Sequence, residues 1–324
     1  MTQQTPLVAP PKKRGRLYAI IAVAVLVVVA IIIGLSVAAS NSSNGGAGAS
    51  SDNAITEGLG SAAQPVKIGV VGASDPYWET YADVASDAGI AVEIVDFTDY
   101  AQPNPALSEG DLDLNQFQHL IYLAQYNESA GEDLAPIGAT AIYPLALYST
   151  QYGSVEEIQP GDTVAIPSDA SNLARALLVL QSAGLVELRD GGSPFSTVED
   201  VLETSTVKVT ALEAALVPTS LPDVAAAIIN NDFVEDAGLS FDDAIAADDA
   251  ADDSAKPYIN IFAARADDKD NDVLLELVEL FQSTPSVTDG VQETSGGTAV
   301  LVKTPVSELE ETLETVQGDY AAQG

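Results

Sequence analysis

The sequence contains no cysteine, and only one histidine, one methionine and one tryptophan among its 324 residues. Without a thiol there is no disulfide framework, no thiolate metal site, no cysteine nucleophile and no acylated cysteine anchor. The single imidazole, His119, excludes a histidine-based zinc site, and any acid–base triad would rest on that one residue. Basic residues are scarce: 12 Lys and Arg stand against 48 Asp and Glu, a net charge of −36. The scarcity is uneven. Lys12, Lys13, Arg14 and Arg16 crowd the first sixteen positions, and no acidic residue precedes Asp52. From Asp52 onward the chain holds 8 basic and 48 acidic residues, a net −40. That body has no basic face for nucleic acid, and an anionic membrane surface repels it. Nucleotide signatures are missing as well: there is no G-x-x-x-x-G-K-[ST] loop, no G-x-G-x-x-G after a strand and no G-x-S-x-G. With 47% hydrophobic and 19% charged residues, the chain can nevertheless build a core.

One long apolar run is present. LYAIIAVAVLVVVAIIIGLSVAA, residues 17–39, carries no charge and is long enough for a hydrocarbon core of about 30 Å. It predicts a transmembrane anchor, with the basic segment 1–16 cytoplasmic and the acidic body outside. The small residues at 37–40 also suit a cleavage site. Residues 40–66 are rich in Ser, Gly, Ala and Asn and read as a flexible tether.

The remaining stretch, 67–324, exceeds the common single-domain size and suggests two lobes. VKIGVVG, IAVEIVDF, AIYPLALYS, TVAIPS, VKVTAL, VAAAIIN and YINIFAAR read as strands. PYWETYADVASDAG, NLARALLVLQSAG and DVLLELVELFQS read as helices, with a short helical segment at PALSEGD. This alternation predicts α/β lobes with mainly parallel sheets. FDDAIAADDAADDSAKP reads as an exposed acidic loop, with calcium binding as the minor alternative.

Three segments carry candidate chemistry. In PSDASNLARALLVLQSAGL, Leu173, Ala176, Leu177 and Leu180 form a helical stripe, and Ser168, Asp169 or Ser171 can cap its start. Asn172 and Arg175 share a face near that N-terminus, where amide N–H groups and a guanidinium together suit a carboxylate. An arginine simply paired with an aspartate is the other reading. Residues 97–126 gather Phe97, Tyr100, Phe117, His119, Tyr122 and Tyr126 in a chain that is 6% aromatic, which suits either a core or the wall of a small-ligand site. Asn230 and Asn231 close a strand, where polar amides commonly face a crevice.

In order and spacing these segments resemble the methionine-binding, NlpA-type substrate-binding lipoproteins of bacterial ABC importers. VEIVDFTDYAQPNPALSEGDLDLNQFQHLIYL, AIPSDASNLARALLVLQSAGLVEL and AIINNDFVEDAGL each match a family stretch, and the resemblance runs from about Lys67 to Arg265. It implies a bilobal periplasmic-binding-protein fold of the second type, two α/β lobes joined by a hinge, here preceded by one transmembrane helix. One lobe would hold about 67–148 and 258–303 and the other about 149–257, with crossovers near 149–161 and 251–258 and an acidic tail at 304–324. The resemblance assigns Arg175 to the ligand carboxylate, gripped bidentately, and Asn172 and Asn230 to the carboxylate and ammonium. It assigns Tyr100, Phe117, His119 and Tyr122 to the side-chain pocket. It implies an amino-acid ligand, an ABC permease with its ATPase subunits as partners, no cofactor or metal, and no enzymatic activity.

Four features depart from the family, one of them the acidic tail at 304–324, which has no clear counterpart in it. Gln116 stands where an aromatic is usual and suggests a more polar pocket, the loop VGASDPYWET brings in Tyr77 and Trp78, and the lipidated cysteine is missing. A binder of a short peptide or another small amino acid, and a surface interaction protein without a transport role, are the competing expectations.

Overall fold

A computed structural model describes residues 54–322 of the chain. The basic segment, the expected span at 17–39 and the tether up to residue 53 lie outside the described residues. Among the described residues no helix is long and apolar enough to cross a membrane. The expected fold class is corrected accordingly: the described residues supply α/β lobes and hold no membrane-spanning helix, and the segment 17–39 falls outside them. The last part of the expected tether is folded. Ile55 and Leu59 pack on the core, the Ile55 N–H donates to Gly89 O at 2.9 Å, and Ser61 Oγ closes a turn on Gly58 O at 2.6 Å.

The first elements are strand β1 (Val66–Val71), helix α1 (Pro76–Asp87), β2 (Val92–Phe97), α2 (Pro103–Ser108) and β3 (Leu114–His119). Next come α3 (Leu120–Ala130), β4 (Ala135–Ala139), β5 (Ala141–Ile142), β6 (Ala146–Tyr148), β7 (Thr163–Pro167) and α4 (Ala170–Ser182). After these follow β8 (Lys208–Leu212), α5 (Val217–Ser220), β9 (Ala226–Ile229), β10 (Ala246–Ala247) and β11 (Asn260–Ala264). The chain ends with α6 (Asp272–Ser283), α7 (Pro285–Thr294), β12 (Val300–Leu301) and α8 (Val306–Ala321).

Two five-stranded sheets organise these elements, one in the order β2-β1-β3-β11-β4 and one in the order β10-β6-β9-β7-β8. Each is mixed rather than mainly parallel. In the first, β1 runs parallel to β2 and β3, while β11 returns antiparallel between β3 and β4. In the second, β7 runs parallel to β8 and β9, and β6 runs antiparallel between β9 and β10. The antiparallel strands are those that flank the passages between the sheets, because a chain that leaves one lobe and re-enters the other arrives from the opposite end. β6 belongs to the second sheet, so the first passage runs through 143–145, upstream of the expected crossover. The second passage covers 248–259.

Apolar periodicity explains most of the packing. α1, α6 and α7 cover one face of the first sheet through Trp78, Tyr81, Phe262, Phe281 and Val287. α3 and α8 cover the other face, where Leu120, Leu123, Leu309 and Leu313 meet. In the second lobe Ile166, Leu177, Leu180 and Ile228 join α4 to its sheet. Strand β3 hides its character in the sequence. All six of its residues are buried although Asn115, Gln116, Gln118 and His119 are polar. Their side chains find partners inside: Asn115 Nδ2 donates to Asn104 Oδ1 at 2.8 Å, and Gln118 Nε2 donates to the same oxygen at 2.6 Å. Asn104 Nδ2 returns a bond to Gln118 Oε1 at 2.7 Å, so the amides of the Q-P-N and D-x-N-x-F-Q-H segments form one satisfied network.

Candidate functional site

The two sheets face each other across a cleft, and the seven residues singled out from the sequence line a single cavity there. Tyr100, Phe117, His119 and Tyr122 come from the first lobe, and Asn172, Arg175 and Asn230 from the second. The cavity volume is about 40 Å³. Gln118, Tyr143, Pro144, Leu145, Asn231, Asp232 and Asn260 complete its lining.

Helix α4 starts where the sequence suggests. Asp169 is its N-cap and accepts from the Asn172 N–H at 3.0 Å and from Asn172 Nδ2 at 3.0 Å. Asn172 is thereby fixed, and its Oδ1 sits 3.3 Å from His119 Nε2. His119 Nδ1 accepts from the Tyr122 N–H at 3.2 Å, capping α3, which leaves the imidazole proton on Nε2 for Asn172. Burial, reinforced by the Arg175 charge, lowers the His119 pKa to about 3, so the ring is neutral.

Arg175, 5% exposed, is not aimed freely at the cleft. Its Nε donates to Asp248 Oδ2 at 2.6 Å, and its Nη2 donates to Asp248 Oδ1 at 3.2 Å and to Tyr143 O at 2.8 Å. The Tyr258 ring lies beneath, 4.2 Å from the guanidinium carbon to the centroid. Among the described residues Nη1 has no such partner. The expected two-pronged grip on a carboxylate is therefore narrowed, because the Nε–Nη2 edge is already committed to an aspartate. The aspartate pairing is present, and Arg175 also lines the cavity. Asp248 also accepts from the Leu145 N–H at 2.8 Å, so arginine and aspartate together tie the two passages between the lobes.

The aromatic wall is a set of tilted and edge-on contacts. Ring centroids are 5.9 Å apart for Tyr100–Phe117, 5.7 Å for Phe117–Tyr122 and 5.2 Å for Tyr100–Phe233. Tyr122 OH donates to Tyr100 O at 2.9 Å, and Tyr100 OH reaches across the cleft to Asp232 Oδ2 at 2.8 Å. Burial raises the Asp232 carboxyl above its ordinary value, although its exposed surface lets water screen part of the effect. On the second-lobe wall Asn230 Oδ1 and Asn231 Oδ1 are buried without a partner among the described residues. Leaving such a group unpaired costs roughly 1–3 kcal/mol, so these acceptors suit a ligand's N–H donors.

Sequence reasoning missed Asp248, Tyr258 and Tyr143. Asp248 was one more acid in an apparently solvated run, and nothing local separates it from its neighbours. Tyr143 stands beside Pro144, the break inside AIYPLALYS, and that break was the available signal. Gln116 does not line the cavity. Its amide donates to Thr140 Oγ1 at 3.2 Å, which removes the reason for expecting a more polar pocket. Tyr77 and Trp78 pack in the first-lobe core rather than at the site.

The NlpA lipoprotein family profile matches residues 66–302. The D-methionine-binding lipoprotein MetQ of Yersinia pestis is 42% identical over 246 residues, covering 74% of this chain and 89% of the relative. Protein PG110 from Staphylococcus aureus has a similar structure, with a TM-score of 0.73 at 35% identity over 78% of this chain and 99% of its own. A nutrient binding protein from Burkholderia cenocepacia bound to methionine gives a TM-score of 0.68 at 37% identity, over 73% of this chain and 99% of its own. The profile spans both sheets and every residue of the cavity wall, and the chain belongs to the NlpA lipoprotein family.

Proposed function

We propose that this protein is the extracytoplasmic substrate-binding component of an ABC importer. It captures methionine in the cleft and delivers it to a permease driven by separate ATPase subunits. One observation carries the reading: a guanidinium, unpaired amide oxygens and an aromatic wall, drawn from both lobes, converge on one cavity. A zwitterion fits that arrangement. Its carboxylate meets Arg175 Nη1 beside Asn172, and its ammonium donates to Asn230, Asn231 and the Asp232 side. The thioether lies against Tyr100, Phe117 and Tyr122, where a polarizable sulfur gains from ring contacts. His119 stays neutral and holds Asn172 in place. The passages at 143–145 and 248–259 serve as the hinge, and closure presents both lobes to the permease.

Isothermal titration of the full chain, stripped of copurified ligand, tests this against both methionine enantiomers and the other amino acids. Saturable binding of methionine is expected. Arg175→Ala should weaken it by about 2–4 kcal/mol, the value of a lost charge-assisted contact in a buried site. Absence of saturable binding by every amino acid would reject the proposal.

A further inference from the structure

Helix α8 begins beyond the stretch that matches the family profile, which ends at residue 302. It is mounted on the first lobe. Leu309, Leu313 and Val316, spaced i, i+4 and i+7, enter the same core as Leu120, Ile121 and Leu123 of α3. Lys269 Nζ pairs with Glu310 Oε1 at 2.7 Å, and Gln317 Nε2 donates to Glu128 Oε1 at 2.9 Å. At its far end Tyr320 meets Phe195, with ring centroids 6.2 Å apart and planes inclined at 59°.

Phe195 belongs to the other lobe, in the loop between α4 and β8, and that loop is held firmly. The Ser193 N–H donates to Ser196 Oγ at 2.8 Å, the Phe195 N–H donates to Ser193 Oγ at 3.2 Å, and Thr197 and Asp200 form a capping box. Beside this contact the lobes stand apart around a cavity of about 500 Å³, walled by Gln125 and Glu128 on one side and Leu173 and Ser196 on the other. The ring pair thus lies outside the hydrophobic clusters of either lobe and adds to the other contacts across the cleft, Tyr100 with Asp232 and His119 with Asn172.

We propose that Tyr320 and Phe195 form an affinity-setting brace that favours the closed arrangement of the lobes. The effect on ligand affinity rests on the transport reading above; the effect on lobe spacing does not. A brace that exists only when the lobes are together lowers the free energy of the closed form and slows ligand release. Ring pairs of this kind contribute enough for about a two- to tenfold change in dissociation rate.

Because the chain has no cysteine, two introduced ones can be spin-labelled uniquely. Glu203→Cys in the second lobe and Glu276→Cys in the first, both exposed, report the lobe spacing by pulsed electron resonance on the full chain. Without ligand, Tyr320→Ala and Phe195→Ala should each shift the distance distribution, by the same pattern, away from that of the parent. The double variant should go no further than either single one, and Tyr320→Phe should keep the parent distribution. With methionine, each alanine variant should dissociate about two- to tenfold faster. Unchanged distributions in both alanine variants, or fully additive shifts in the double variant, would overturn the brace. If the parent protein binds no methionine, the transport reading fails and the distance measurement alone decides the brace.

Discussion

At the scale of single residues, the site is governed by what Arg175 is already holding. Its charge is balanced by Asp248 and its plane is fixed by Tyr258, so on the proposed function the guanidinium would meet the ligand pre-oriented and lose little entropy on binding. On the same proposal Asp248 would act on the ligand only through that orientation. Replacing Asp248 with Asn keeps much of the shape but loosens the arginine. We expect affinity for methionine to fall about tenfold or more, in keeping with a weakened buried ion pair, while methioninol, which has no carboxylate, changes little. Titration of both ligands against parent and variant checks this, and equal losses for the two would rule out an effect through Arg175. The acid responsible was invisible in the sequence because ion pairing is a tertiary fact. Arg175 itself was legible, because its place near a capped helix start is local.

At the scale of elements, close approach decides the packing of β4 against α6. A Cβ on Gly138 would lie 2.1 Å from Val278 Cγ1 and 3.3 Å from Val278 Cβ. Helix and strand would have to separate, so Gly138→Ala should destabilise the protein by about 1–3 kcal/mol in urea unfolding, with the denaturant slope unchanged. The helices were readable because their apolar stripes are periodic and their ends carry punctuation: Pro76 and Pro285 at first positions, Asp169 and Asn271 as caps. β3 was not readable as a strand. Its polar residues satisfy one another only after Asn104 arrives from α2, a pairing no periodicity reveals. The passage through 143–145 was misplaced for a related reason: AIYPLALYS reads as one strand, yet Pro144 divides it between two sheets. The convergence of Tyr100, Phe117, His119 and Tyr122 came from motif order rather than from physics, since their spacing suits a core equally well.

At the scale of the whole molecule, the excess of acid matters where the lobes meet. Asp75 and Asp96 of the first lobe and Asp232 and Glu235 of the second border a cavity of about 240 Å³. Burial, with repulsion from Asp232, Glu235 and Asp96, raises the Asp75 pKa to about 7 from its ordinary 3.8. The folded protein therefore holds a proton that the unfolded chain has released, so stability grows as pH falls from about 8 toward 4. His119 works in the opposite sense. Its pKa of about 3 against an ordinary 6.5 means the unfolded chain binds the proton first, and stability is lost as pH falls from about 7 toward 3. We expect the melting midpoint to rise between pH 8.5 and 7, then to level as the two effects oppose. Asp75→Asn should flatten the alkaline limb and, with its opposing gain removed, let the midpoint fall as pH drops below about 7. Differential scanning fluorimetry across that range checks both statements, and an alkaline limb unaffected by Asp75→Asn would count against the assignment.

The tie that Arg175 and Asp248 make between the two passages carries a consequence for how the protein can change. On the proposed function, the group that would read the ligand's main-chain end is built into the joint on which the lobes would turn, so altering it would alter the motion. Among the described residues Phe117 and Tyr122 make no hydrogen bond or ring contact with those two passages, whereas Tyr100 bonds across the cleft to Asp232. On the proposed function, a designer who wants a different cargo would redraw Phe117 and Tyr122 first and leave Arg175 untouched.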